Sequence, residues 1–125
     1  MTISSIGIDD LETEINDDLD SLCIKVSFSA HFTRDRMNDQ RNQPPITLKE
    51  LEDIFKRFKS QYAAKVVKLS DQETFLLTCS QTKINLPCGV SLFRKFNKPW
   101  VKITVLTVMR KDGYATNDKI IYTLQ

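Results

Sequence analysis

The chain contains one histidine, and that scarcity narrows its chemistry before any pattern is sought. A zinc site of the usual kind draws on several closely spaced Cys and His side chains. Here the three cysteines, Cys23, Cys79 and Cys88, are odd in number, widely separated and form no C-x-x-C pair. They read as buried free thiols of a reducing compartment, so neither a metal nor any other cofactor is expected. Long apolar runs are also missing, which argues against a membrane-spanning helix of about 20 residues. The N-terminal MTISSIGIDD has neither a basic region nor an apolar core, so a secretory signal is not expected there. The expected location is the cytoplasm, that of the host cell if the chain is phage-encoded, with a virion as the alternative. No internal repeat is visible.

Basic residues are absent from the first 20 positions, which hold Asp9, Asp10, Glu12, Glu14, Asp17, Asp18 and Asp20. All 18 Lys and Arg residues therefore lie in residues 21–125. A length of 125 residues suits one α+β domain over residues 21–125, preceded by an acidic N-terminal arm over residues 1–20. Ile8, Leu11, Ile15 and Leu19 sit at near-helical spacing, so the arm is either an amphipathic acidic helix or a flexible segment. It is also placed to lie over the basic body and compete with a polyanion. A basic body points to RNA or DNA as partner, against the plainer alternative of a solvated charged surface.

Residues 22–28 alternate, with Leu22, Ile24, Val26 and Phe28 on one face, as in a half-buried strand. Ser29 suits the N-cap of a helix over residues 30–38. A polar loop then leads to Pro44-Pro45, and Thr47 with Glu50 forms a capping box flanked by Ile46 and Leu51. The helix that follows buries Leu48, Leu51, Ile54, Phe55, Phe58 and Tyr62. Strands are expected at residues 73–79, 83–93, 100–110 and 119–124, with Pro87 and Gly89 marking a bulge or edge. The resulting expectation is an α+β fold of order β-α-α-β-β-β-β, two N-terminal helices packed on an antiparallel sheet.

The stretch from residue 27 to 47 holds His31, with Arg34, Asp35 and Arg36 just behind it. Its pattern Ser29, His31, Phe32, Asp35, Arg36, Asn38, Asp39, Arg41, Asn42, Pro45, Ile46 and Thr47, with Met109 to Asp112 near the end, resembles the RelE/ParE/barnase-EndoU-colicin group. Those are small ribonucleases and toxin-like domains, and phage-encoded relatives share the H-F…D-R…R-N…P-I-T pattern. The resemblance spans residues 22–112 and has one extra residue between His31 and Arg36. It implies an RNA partner, ribosome-associated RNA included, and a site on the open face of the sheet.

A metal-independent ribonuclease must deprotonate a ribose 2′-hydroxyl, protonate the leaving oxygen and stabilise charge on phosphorus. His31 has the only side chain whose ordinary pKa lies near neutrality, so it is the candidate base or acid. Asp35, one turn on, is placed to orient it. Arg34, Arg36 and Arg110, with Lys111, are candidates for clamping the phosphate. Arg41, Lys95, Lys98, Lys102 and Lys111 are the candidate nucleic-acid contacts, with Lys102 and Thr104 sharing one face of the long strand. The turn RKFNK, with Phe96 and Trp100, suits a stacked base. Each feature has a plainer role. A histidine at a strand–helix junction can serve only as a structural hydrogen-bonder, Arg34, Asp35 and Arg36 can form surface ion pairs, and Trp100 can be core. The functional expectation is a phage- or mobile-element-encoded endoribonuclease or RNA-binding toxin-like protein. The alternative is a non-enzymatic virion component or host-protein binder, with the acidic arm as its docking segment.

Overall fold

The computed structural model describes residues 5–30, 32 and 38–125. Helix α1 spans Ser5–Leu19 and is followed by one 3-10 turn at Asp20–Leu22. Strand β1 is Ile24–Phe28 and helix α2 is Leu48–Val66. The remaining strands are β2 (Thr74–Cys79), β3 (Ile84–Lys95), β4 (Lys98–Val105), β5 (Met109–Arg110) and β6 (Ile121–Leu124). The class is α+β, with two helices and a six-stranded sheet. No helix among the described residues is long and apolar enough to cross a membrane.

The expected order and strand directions need correcting. The first helix precedes β1, and the sheet is mixed, in the order β1-β4-β3-β2-β6 with β5 also on β3. β1 runs parallel to β4 and β2 parallel to β6, while β3 is antiparallel to β2, β4 and β5. The chain between β1 and β4 contains α2 and a hairpin, a connection long enough for the parallel return that short turns forbid. The helix expected at residues 30–38 falls mostly outside the described residues. At its start, Ser29 Oγ accepts from Phe32 N at 3.1 Å, the bond expected of an N-cap.

The acidic segment is the helical alternative. Ile8, Leu11, Ile15 and Leu19 are all buried in the same core as the sheet and α2. Lys59 Nζ of α2 reaches Asp18 Oδ1 of α1 at 2.9 Å. α2 begins as its sequence predicts, with Glu50 N donating to Thr47 Oγ1 at 3.1 Å and Thr47 N donating to Glu50 Oε1 at 3.0 Å. Leu51, Ile54, Phe55 and Phe58 are buried, and Leu48 and Tyr62 pack beside them. The three cysteines are free thiols, Cys79 and Cys88 buried and Cys23 half-buried. Leu22 is exposed, against expectation. Cys23, at φ 59°, turns the chain, so alternation begins only at Ile24.

Each helix also closes one edge of the sheet. Asn16 of α1 donates to Val26 O at 2.9 Å and accepts from Val26 N at 2.7 Å, as a neighbouring strand would. Glu12 accepts from Phe28 N at 3.2 Å. On the far edge, Gln61 of α2 accepts from Gln125 N at 3.0 Å and donates to Gln125 O at 3.2 Å. Tyr62 donates to Thr123 O at 2.6 Å. Main-chain groups that would otherwise recruit another strand are thus engaged by side chains.

The strand expected over residues 100–110 is two strands. Cys88 faces Val105 and Asn85 faces Met109, so three steps along β3 match four steps along its partner. One extra residue between β4 and β5 acts as a bulge and reverses which residues face the helices. Val108 is buried in the core as a result.

Candidate nucleic-acid interface

The side of the sheet away from the helices divides into two parts. Over β2 and β6, Leu76, Thr78, Ile121 and Thr123 share a cavity with Lys111, Tyr114 and Thr116 of the loop before β6. Thr74 Oγ1 donates to Asp118 of that loop at 2.7 Å. Over β1, β4 and the distal half of β3, register fixes what is displayed. Ile24, Val26, Val101, Ile103 and Val105 are buried on the core side, so the residues that alternate with them along each strand face out. These are Lys25 beside Lys102 and Ser27 beside Thr104 on β1 and β4. Gly89 lies beside Thr104, Ser91 beside Lys102, Phe93 beside Trp100, and Lys95 beside Lys98 on β3 and β4.

Four lysines therefore share one face, and none of them has an ion pair among the described residues. The Lys25–Lys102 and Lys95–Lys98 pairs lie about 13 Å apart along β4 at the usual strand rise. Two ammonium groups directly across a strand pair repel, which destabilises the fold slightly unless an anion lies between them. On β3 the small residues Gly89 and Ser91 lie beside Thr104 and Lys102, and the Phe93–Trp100 pair separates the two lysine pairs. Between the pairs the Phe93 and Trp100 rings lie 5.9 Å apart, and Lys95 Nζ sits 4.9 Å from the Trp100 ring. Trp100 is buried, yet it lies on the face opposite the main core.

The candidate phosphate clamps behave differently. His31, Arg34, Asp35 and Arg36 lie outside the described residues. Ser29, which leads into them, is fastened to the end of β4, donating from N to Val105 O at 3.0 Å and from Oγ to Leu106 O at 2.7 Å.

Arg110 is not available as a clamp. The bulge turns it inward beside Ile84, where its side chain is 8% exposed. Its Nε donates to Pro44 O at 2.7 Å and Nη1 to Thr82 O at 2.8 Å. Its Nη2 donates to Pro45 O at 3.1 Å and to Glu50 Oε1 at 2.6 Å. Asn42, itself buried, accepts from Arg110 N at 2.8 Å. Arg110 thus ties the residue 42–50 loop and the start of α2 to the sheet. Burial alone would raise the Glu50 carboxyl, but the bonds from Arg110 and Thr47 outweigh it and hold the group below its ordinary value.

Arg41 is exposed but chelated by Asp39, at 3.1 Å from Nε and 2.9 Å from Nη2. That hydrogen bond, with the carboxylate charge, raises the Arg41 pKa. Lys111 is exposed and adjoins Arg110. Arg110 pairs with Ile84 at one end of β3, and Lys98 pairs with Lys95 at the other. Eleven strand steps separate them, on the order of 35 Å. Among the described residues the candidates accordingly form two regions, not one site.

Lys25 was absent from the sequence-based candidates. Its place on the polar side of an alternating strand was a signal, but its pairing with Lys102 is non-local. No protein-family model, curated protein or solved structure matches this chain.

Proposed function

We propose that the chain is an RNA-binding protein that takes a phosphate backbone across the face formed by β1, β4 and β3. The observation that carries this reading is the set Lys25, Lys95, Lys98 and Lys102 on one face, without acidic partners among the described residues. Unneutralised cations on an open surface release counterions when they meet a polyanion, and binding then depends steeply on salt. Four phosphate contacts to a single strand give a slope of log K against log salt of about −3. Fluorescence anisotropy of a labelled single-stranded RNA across a salt series tests this. Absence of salt-dependent binding overturns it.

Scission of that RNA, as in the RelE/ParE/barnase-EndoU-colicin group, is a separable part of the proposal and rests on His31. It predicts cleavage that survives EDTA and disappears in His31→Ala while RNA affinity persists. Arg110 contributes to such a reaction only by holding the loop through residues 42–50 in place. Intact RNA after prolonged incubation with the wild-type protein removes cleavage and leaves the binding reading standing.

A further inference from the structure

The β3–β4 hairpin carries features that folding alone does not account for. Its turn residues Phe96 and Asn97 both have positive φ, 52° and 62°. Asparagine tolerates that conformation, whereas a bulky aromatic residue rarely adopts it. Phe96 is also 86% exposed, the most exposed large apolar residue among those described. A polar turn residue would be less strained and better solvated there. Lys95 Nζ lies 5.6 Å from the centroid of the Phe96 ring, Lys98 lines the same cleft as the ring, and Arg94 Nη2 donates to Asn97 O at 2.9 Å.

A second, independent observation lies behind the turn. Two clefts flank the hairpin, one lined by Asn16, Asp20, Lys25, Phe93, Lys95 and Trp100, the other by Asp20, Ser21, Cys23, Lys95, Phe96, Lys98 and Trp100. Trp100 lines both, is 8% exposed, and its indole N–H has no hydrogen-bond partner among the described residues. A buried indole N–H normally finds an acceptor. The hairpin therefore combines an exposed ring with Lys95 against it, Lys98 in the same cleft, and a buried donor without an acceptor among the described residues.

We infer that this hairpin is a stacking site for one unpaired base of the RNA, with Phe96 as the platform. The inference rests on the RNA-binding reading and specifies how that surface reads its ligand. Lys95 and Lys98 hold the flanking phosphates, and an acceptor on the base or ribose engages the Trp100 N–H. An unpaired base has a free π-face, whereas a base inside a duplex is already stacked. Preference for single strands over duplex then follows from Phe96, while the lysines alone attract either.

Phe96→Asn separates this role from folding, because asparagine suits the turn better than phenylalanine. The variant is expected to melt no lower than the wild type and to bind a single-stranded oligonucleotide about tenfold more weakly. Its affinity for inorganic polyphosphate, which has no bases, is expected to stay the same. Trp100 is the only tryptophan, so its fluorescence reports the site directly. Oligonucleotide, but not polyphosphate, is expected to change that emission, and Trp100→Phe to weaken oligonucleotide binding severalfold. If Phe96→Asn binds the oligonucleotide as the wild type does and Trp100 emission stays constant, the stacking site is wrong while lysine-face binding stands. If neither oligonucleotide nor polyphosphate binds, both readings fail.

Discussion

The two ends of β3 both gather positive charge, yet they use it in opposite ways. At the Ile84 end, Arg110 is buried and bonded to three main-chain carbonyls and Glu50. At the Lys95 end, Lys95 and Lys98 are exposed, and with Lys25 and Lys102 they have no acidic partner among the described residues. The first arrangement holds the fold together, and the second is mildly unfavourable to it. A cation already surrounded by carbonyls and a carboxylate has little left to offer a ligand, whereas a repelling pair of lysines gains from an added anion. Charge density in a sequence therefore does not locate a binding surface. The partners of each charge do.

This contrast predicts effects of opposite kind at the two ends. Arg110→Met should be the most damaging, because it leaves Glu50 partly buried without its partner and removes the acceptors' donors. A loss of about 3 kcal/mol is expected in urea denaturation. A loss below about 1 kcal/mol would mean that the guanidinium is not the tie described here. Asn16→Ala should come next, at about 1–2 kcal/mol, since it strands the Val26 N–H and C=O at the β1 edge. The same variant should self-associate more readily as that edge opens, which light scattering would detect.

Glu50→Gln should cost about 1 kcal/mol at neutral pH, and its effect should depend on pH. The folded carboxyl lies below its unfolded value, which is about 4.3. Its contribution is therefore fully present above that value and lost as pH falls through the folded value. The difference in melting temperature between wild type and Glu50→Gln should shrink on acidification from pH 7 to pH 3. A constant difference would show that the charge on Glu50 does not matter. The smallest effect on stability is expected for Lys25→Glu, and its sign is reversed. Replacing a like-charge neighbour of Lys102 with an opposite one should stabilise by a few tenths of a kcal/mol. It should nonetheless weaken RNA binding, and a variant that loses stability and keeps affinity would break the contrast.

Much of the local structure was legible in the sequence. The Thr47–Glu50 capping box, the apolar stripe of α2 and the spacing Ile8, Leu11, Ile15, Leu19 each depend on residues a few positions apart. The orientation of Arg110 was not legible. Period-2 reading from Lys102 and Thr104 puts Arg110 on the outer face, and one extra residue before Met109 turns it inward. Nothing within residues 100–110 marks that bulge; Pro87, expected at a bulge or edge, lies opposite it and accepts from Leu106 N at 2.9 Å. Parallel pairing of β1 with β4 was equally hidden, because a mid-chain helix and a hairpin separate them. Without that pairing, Lys25 had no reason to be grouped with Lys102. The edge-closing roles of Asn16 and Gln61 also depend on long-range docking. His31, Arg34, Asp35 and Arg36, the strongest local cluster, lie outside the described residues.

The most direct test compares two double variants in one RNA-binding titration across salt. Lys25→Ala/Lys102→Ala removes charge from the open face, and Arg41→Ala/Lys111→Ala removes charge from outside it. If RNA lies on the lysine face, the first should reduce the steepness of the salt dependence by about 1.4 in log–log slope. The second should leave both slope and affinity as in the wild type. A loss of slope confined to the second double variant, or no RNA binding by the wild-type chain at any salt concentration, would contradict it.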